Sequence, residues 1–261
     1  MIDAADLTLL STGFRAAMEE PGDADRLDAA LVELGWRELL ADSPDEAVAL
    51  VFPLLGATGA HAPLLNDVLL HALGRPPGGV VALAENGLAF GRPCVPAGGL
   101  DPALGLCRVE WRPLGEEAVA AGRRALGFQL VGAGRAMLEL AREHALTRTQ
   151  FGRRLASFQA VRHRLAETLV TLEAAEAALA HATDPTTSTL GKALAGRAGL
   201  AAARNCQQVL AGIGFTAEHR FQSFARRVLV LDDLLGSAKA LAEDVGGSLL
   251  ATRRAPRLIE L

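Results

Sequence analysis

Residues Thr147–Gln159 read Thr-Arg-Thr-Gln-Phe-Gly-Arg-Arg-Leu-Ala-Ser-Phe-Gln and connect two stretches of helical pattern. A helix is predicted before this connection, at about Leu130–Ala145. After it, apolar residues keep to one helical face for about six turns, at Phe158, Val161, Leu165, Leu169, Leu172 and Leu179. Because long amphipathic helices joined by short connections pack antiparallel, this region predicts a helical bundle.

Further helical segments follow toward the C-terminus. Asp184 is a candidate cap for a helix that runs to about Leu210, where the Gly-containing stretch Ala211–Gly214 stops it. Another helix is predicted at about Phe221–Val230, and Ser237 is a candidate cap for a last one. These segments supply the remaining helices of the bundle.

The chain divides into three predicted domains of a mainly α fold. Residues 1–74 carry apolar residues at helical spacing between short breaks, which predicts a shortened N-terminal helical domain. Residues 75–113 form a reduced middle β segment with room for about four strands. Residues 114–261 form a C-terminal antiparallel four-helix bundle domain.

Turn residues locate the strands of the middle segment. Asn86 and Gly87 lie between the apolar runs Val80–Leu83 and Leu88–Phe90, which predicts a β-hairpin. Cys107–Trp111 alternates apolar and polar residues like another strand.

Composition excludes several classes of partner. The chain has 261 residues with 26 basic and 30 acidic side chains, and no block of basic residues. Binding to nucleic acid and anchoring to a membrane by a polybasic segment are therefore not expected. The most apolar stretch, 47–65, contains Pro53, Gly56, Gly59 and Pro63, so it predicts short buried helices and no membrane span.

The cysteines and the N-terminus bear on the compartment. Cys94, Cys107 and Cys206 are spaced like neither a metal clip nor a disulfide framework, so no metal is expected and a reducing compartment is favoured. Asp3 and Asp6 stand where a secretory signal would carry basic residues. We therefore predict a cytoplasmic protein.

Two motifs resemble the C-terminal domain of the acyl-CoA dehydrogenases. In that family an Arg-x-x-Phe-Gly turn precedes a Phe/His-Gln pair that opens a long helix, and residues 148–159 match both parts. Residues 208–218 are similar to the family signature Gln-x-x-Gly-Gly-x-Gly-Phe/Tyr-x-x-Glu, with Ala211 in place of its first glycine. Residues 34–40 also look like the first helical domain of the family.

The resemblance implies an FAD site. Family members use these positions to bind the ADP half of the FAD of a neighbouring subunit, which implies that role for Arg148, Phe151, Gln159, Gln208 and Gly212. A guanidinium can hold a phosphate, a Gln amide offers both a donor and an acceptor, and a glycine lets the backbone approach a pyrophosphate. Taken singly, Phe151 could be a core residue, Gln159 a helix cap and Gly212 a helix stop. Their joint occurrence in family order favours the cofactor.

The catalytic base of the family has no counterpart. Family members abstract an α-proton with a Glu in a Glu-Gly-Thr turn, and that position aligns with Leu235. Other members place the base on the helix before the Arg-x-x-Phe-Gly turn, at about Gly122. Neither residue accepts a proton. Asp232 and Asp233 remain as fallback bases if the register slips, and otherwise they belong to a solvated turn.

Taken together, these features resemble a shortened, non-catalytic subunit of a heteromeric acyl-CoA dehydrogenase of the α2β2 kind that actinobacteria use on steroid side-chain CoA thioesters. A catalytic partner subunit would supply the base, the flavin-ring pocket and the acyl-CoA site. Two alternatives stay open. One is a self-sufficient acyl-CoA-binding flavoenzyme that uses Asp232, Asp233 or Glu218, and the other is a flavin-free scaffold with the same bundle.

Overall fold

The computed structural model describes residues 4–91 and 95–253. Its N-terminal part is helical, as predicted, with α1 (Ala4–Glu19), α2 (Ala24–Glu33), α3 (Trp36–Asp42), α4 (Pro44–Thr58) and α5 (Leu64–Ala72). Pro44 occupies the first turn of α4, where its missing N–H costs no hydrogen bond. Gly59, with φ +74°, ends the same helix in the left-handed conformation.

The middle segment forms a small antiparallel sheet. Its strands are β1 (Leu88–Phe90), β2 (Val95–Pro96) and β3 (Leu106–Arg108), in the order β1-β3-β2. The predicted hairpin between Val80–Leu83 and β1 is wrong as a strand pair, because β1 pairs with β3, with Ala89 opposite Cys107. The run before the turn is buried but forms no strand; it comprises Val81, Ala82 and Leu83. One backbone hydrogen bond crosses the turn, from the Leu83 N–H to Leu88 O at 2.6 Å.

The cysteines depart from the expected pattern. Cys107 is disulfide-bonded, whereas Cys206 is free and buried. Spacing along the chain does not show which cysteines a fold brings together, so the sequence alone missed this bond.

The C-terminal part is the predicted helical bundle, and the mainly α fold is confirmed. It comprises α6 (Glu116–Thr147), α7 (Gln159–Ala180), α8 (Pro185–Leu210), α9 (Phe221–Asp233) and α10 (Ala238–Thr252). The Asp184 carboxylate caps α8 by accepting the Thr187 N–H at 3.0 Å, and the Thr187 hydroxyl accepts the Asp184 N–H at 3.1 Å. The Ser237 hydroxyl accepts the Ala240 N–H at 3.3 Å and caps α10. Both predicted caps are confirmed.

Glycines bring α4 and α6 into backbone contact. A Cβ at Gly56 would lie 2.1 Å from Gln129 O, and a Cβ at Gly132 would lie 2.2 Å from Pro53 O. No side chain fits at either position, so the two helices pack closely enough to share one core. The buried apolar residues of that core come from all along the chain, from Phe14 to Leu234. The division at residues 74 and 113 stays a prediction.

A buried ion pair ties the middle segment to the bundle. Arg227 on α9 donates from Nε to the Asp101 carboxylate, and both side chains are almost wholly buried. The Arg227 Nη1 group also donates to Gly59 O and Ala60 O, each at 3.0 Å. One guanidinium therefore joins three parts of the chain, the β segment, α9 and the end of α4.

Two features are absent from residues 4–91 and 95–253. No helix there is long and apolar enough to cross a membrane. No group of three or more His, Cys, Asp or Glu side chains in the same residues could hold a metal ion.

Candidate functional site

The connection after α6 is a short hairpin with an exposed ring at its tip. Its strands are β4 (Thr149–Gln150) and β5 (Arg153–Arg154), and the two residues between them, Phe151 and Gly152, have φ +55° and +77°. A phenylalanine at positive φ is strained. The Phe151 side chain is nevertheless 86% exposed, so its reading as a core residue is wrong. A strained turn that presents an aromatic ring to solvent is typical of a binding surface.

A groove of about 740 Å³ opens beside this hairpin, between the ends of α6 and α8 and the start of α7. It brings together four of the predicted cofactor residues, which are Arg148, Phe151, Gln208 and Gly212. Gln159 is exposed at the first position of α7 and does not line the groove, whereas the next two residues, Ala160 and Val161, do. The role of Gln159 therefore stays a prediction without support from this geometry.

The groove continues into a second cleft. Four residues line both, namely Arg164, Gln208, Ala211 and Gly212. The second cleft, of about 720 Å³, adds Arg204 on α8 and Phe215 beyond it. Sequence reasoning missed Arg164 and Arg204. Helical spacing could have found them, because Arg204 precedes Gln208 by one turn and Arg164 follows Ala160 by one turn. We call the two clefts together the extended groove.

The extended groove is cationic. Arg148, Arg164 and Arg204 line it, and of the described residues that line the two clefts none carries a carboxylate. Burial, the charge of Arg148 and the charge of His219 lower the pKa of His144, which lies at the same rim. This surface favours an anion, since no neighbouring acid neutralises its guanidinium groups.

The Gly-rich stretch serves two purposes. A Cβ at Gly212 would meet nothing within 4 Å, so this glycine leaves open space at the groove. A Cβ at Gly214 would lie 2.5 Å from Gln207 Nε2 and 2.9 Å from Leu210 Cβ. Gly214 is buried, so packing explains it.

Gly122 and Leu235, the two positions at which family members place the catalytic base, lie against each other in the fold. Leu235 lies in the turn between α9 and α10 with φ +55°, and its carbonyl accepts from Arg123 Nε at 3.0 Å. A Cβ at Gly122 would lie 2.6 Å from Leu235 Cδ1 and 2.8 Å from Leu69 Cδ2. The locus that would hold a base is thus filled by two leucine side chains.

The fallback acids have other roles. Asp232 is 8% exposed, and its Oδ1 accepts the Ala238 N–H at 3.1 Å at the start of α10. Lys192 lies beneath this turn, fully buried, and its Nζ donates to Asp232 O at 2.7 Å and to Gly236 O. Burial lowers the pKa of Lys192 to about 8. Asp233 is exposed at the last position of α9, whereas Asp232 is a buried structural cap.

Residues 113–250 match the acyl-CoA dehydrogenase C-terminal domain. The chain belongs to the acyl-CoA dehydrogenase family. The matched region takes in α6 to α9 and nearly all of α10, so it includes the groove and the base locus. FAD is the cofactor that the family membership implies, and a glutaryl-CoA dehydrogenase of the same fold was solved in complex with FADH2.

Individual relatives agree with this assignment. The acyl-CoA dehydrogenase IpdE2 of Mycobacterium tuberculosis is 35% identical over 152 residues, which is 55% of this chain and 48% of IpdE2. This chain therefore spans about half the length of that acyl-CoA dehydrogenase.

Solved structures share the fold. One chain of the Tcur3481-Tcur3483 steroid ACAD G363A variant has a TM-score of 0.74 at 18% identity, covering 96% of this chain and 99% of that chain. A chain of the ChsE4-ChsE5 complex from Mycobacterium tuberculosis has a TM-score of 0.66 at 19% identity, covering 98% and 99%.

Proposed function

We propose that this chain is the non-catalytic subunit of a heteromeric acyl-CoA dehydrogenase and that it binds the ADP half of an FAD held mainly by a catalytic partner. One observation carries the proposal. The groove of Arg148, Phe151, Gln208 and Gly212 is formed, whereas the base locus is occupied by Leu235 and Leu69.

The groove suits an ADP group on chemical grounds. Its guanidinium groups can pair with phosphates, its exposed Phe151 ring can pack against a flat heterocycle, and Gly212 leaves space for close approach. No acid lines the described part of the groove to repel a diphosphate. Because Phe151 is 86% exposed, a purely structural scaffold would hold a strained aromatic in water without gain.

The partner would carry out the chemistry. In the proposed complex a partner carboxylate takes the α-proton of an acyl-CoA thioester, and FAD supplies the acceptor for the hydride from the β-carbon. This chain orients the nucleotide end of the cofactor and supplies no proton acceptor at Leu235 or Gly122.

The names of two structural neighbours support a heteromer, and the family resemblance alone suggests its α2β2 stoichiometry. Two of them are described as complexes of two different components, and one as a steroid ACAD. In both neighbours the aligned chain is covered almost completely, so a chain of this size occurs in such complexes. By this analogy the substrate is a CoA thioester of a steroid side chain or another lipid.

Co-expression with a dehydrogenase subunit that carries the catalytic Glu tests the proposal. The purified complex should contain flavin, and Arg148→Ala should weaken its FAD binding about 10- to 100-fold by removing a charge-assisted contact. Arg154→Ala is the matched control, because Arg154 is exposed on the same hairpin and does not line the groove. Flavin content unaffected by Arg148→Ala would overturn the assignment of the groove. Full flavin occupancy of the lone chain would favour the self-sufficient enzyme, and no flavin in any complex would favour the scaffold.

A further inference from the structure

The extended groove holds two arginines besides Arg148, and the family resemblance assigns neither of them. We propose that Arg164 and Arg204 form an anion subsite that binds the diphosphate of the nucleotide. This inference rests on the proposed function, since it concerns the same groove.

The two arginines lie in the part of the extended groove that the second cleft adds or shares. Arg164 lines both clefts at the junction where they meet, and Arg204 lines the second cleft. Gln208 and Gly212 line the same junction. A ligand that contacts Gln208 and Gly212, as the proposed function requires, therefore lies within reach of both guanidinium groups.

The Arg164 side chain is held in place. Its Nη1 donates to Asn205 Oδ1 at 3.3 Å, and Asn205 Nδ2 donates to Thr168 Oγ1 at 2.9 Å. Thr168 is fully buried, and its hydroxyl donates to Arg164 O at 2.8 Å. This closed set of hydrogen bonds links α7 to α8 and orients the guanidinium before any ligand arrives. Such preorganisation lowers the entropic cost of binding.

The charge of the pair is unbalanced. Neither Arg164 nor Arg204 makes an ion pair within the described ranges 4–91 and 95–253, where eight other arginines do. Two neighbouring guanidinium groups repel each other unless an anion lies between them. A diphosphate supplies two adjacent negative groups with several acceptor oxygens, which matches two planar donors.

Binding of ADP and of adenosine to the full chain tests the subsite, because the two probes differ by the diphosphate alone. Arg164→Ala/Arg204→Ala should weaken ADP binding at least about 10-fold and change adenosine binding less than about twofold. The control variant Arg154→Ala/Arg197→Ala removes the same charge from two exposed arginines that line neither cleft, and it should leave ADP affinity within about threefold.

The outcomes separate this inference from the proposed function. ADP binding that is lost in Arg148→Ala but unchanged in Arg164→Ala/Arg204→Ala overturns the subsite and leaves the groove assignment intact. Equal losses for ADP and adenosine show a structural effect and also overturn the subsite. If ADP binds neither the wild-type chain nor its complex with a catalytic partner at millimolar concentration, the proposed function fails and the subsite fails with it.

Discussion

Gly122 on α6 and Leu235 in the α9–α10 turn face each other so closely that a Cβ on Gly122 would lie 2.6 Å from Leu235 Cδ1. These are the two positions at which the family resemblance places a catalytic base. They are 113 positions apart in sequence numbering, and the fold brings them to one locus. A base at either position would lie at the same place in the fold. Because neither position carries an acid, this single site has no base, and the side chains of Leu235 and Leu69 occupy it.

The packing of this locus predicts a coupled effect on stability. Gly122→Ala should lower the free energy of unfolding by about 1–3 kcal/mol, because the new methyl group meets the ends of Leu235 and Leu69. Leu235→Ala opens the space, so Gly122→Ala should cost less in that background, and a double-mutant cycle by urea denaturation measures the coupling. Gly246→Ala is the control: a Cβ there meets nothing within 4 Å, so this helical substitution should be stabilising. Additive effects of the two substitutions would contradict the contact.

The acids near the turn give a second prediction. Asp233→Asn should leave turnover of the assembled complex within a few fold, because Asp233 is exposed and the base comes from the partner. Asp232→Asn should lower stability, since the carboxylate caps α10 and lies beside the buried Lys192, yet turnover per folded complex should again stay within a few fold. A loss of about 100-fold from either change, with flavin and assembly intact, would place the base on this chain.

Lys192 predicts how stability depends on pH. Burial lowers its pKa from 10.5 to about 8 in the folded chain. Between these two values the unfolded chain binds more protons than the folded chain, so the free energy of unfolding should rise with pH, by about 3 kcal/mol at most. Lys192→Met removes that rise. Both chains, with Lys192 and with Met at that position, should carry Cys206→Ala. Burial raises the pKa of Cys206 to about 12, so this thiol makes the free energy of unfolding fall above pH 9 and would mask the rise due to Lys192. Equal pH profiles for both chains would contradict the shifted lysine.

Local signals in the sequence predicted most of the bundle. Asp184 and Ser237 cap helices through contacts with residues two or three positions away, so the chain itself carries the information. The predicted β-hairpin failed because the partner of β1 is β3, about twenty positions on, and the buried run Val81–Leu83 packs against the core. Strand pairing depends on tertiary contacts that a turn signal does not report.

The site was predictable only where residues have fixed family positions. Arg148, Phe151, Gln208 and Gly212, which the motifs single out, meet at the groove, and their role in binding FAD stays a prediction. Gln159 lies outside it because the first residue of α7 does not face this groove, and motif spacing cannot show that direction. The sequence showed that both base positions lack an acid. Only the fold shows that these two positions lie together and that leucine side chains fill the space between them.

Backbone strain at the end of α8 gives a further prediction. Ala211 has φ +52° and ψ −132°, a conformation that glycine adopts far more readily than alanine. Its family counterpart is a glycine, so this chain retains the turn and carries the strain. Ala211→Gly should therefore raise the free energy of unfolding by about 1 kcal/mol, measured by urea denaturation. A lower midpoint would show that the Ala211 methyl group contributes packing that outweighs the strain.

The two glycines after Ala211 should separate binding from folding. Gly212→Ala should keep the melting temperature of the chain, because its Cβ meets nothing within 4 Å and its backbone is not in the left-handed region. The same methyl group narrows the groove where a phosphate would approach the backbone, so FAD binding by the complex should weaken. Gly214→Ala is the opposite case, since its Cβ meets Gln207 and Leu210 and should lower the melting temperature directly. Thermal unfolding of the lone chain and flavin retention by the complex measure both effects. If Gly212→Ala retained flavin fully, the open space at this glycine would have no part in binding.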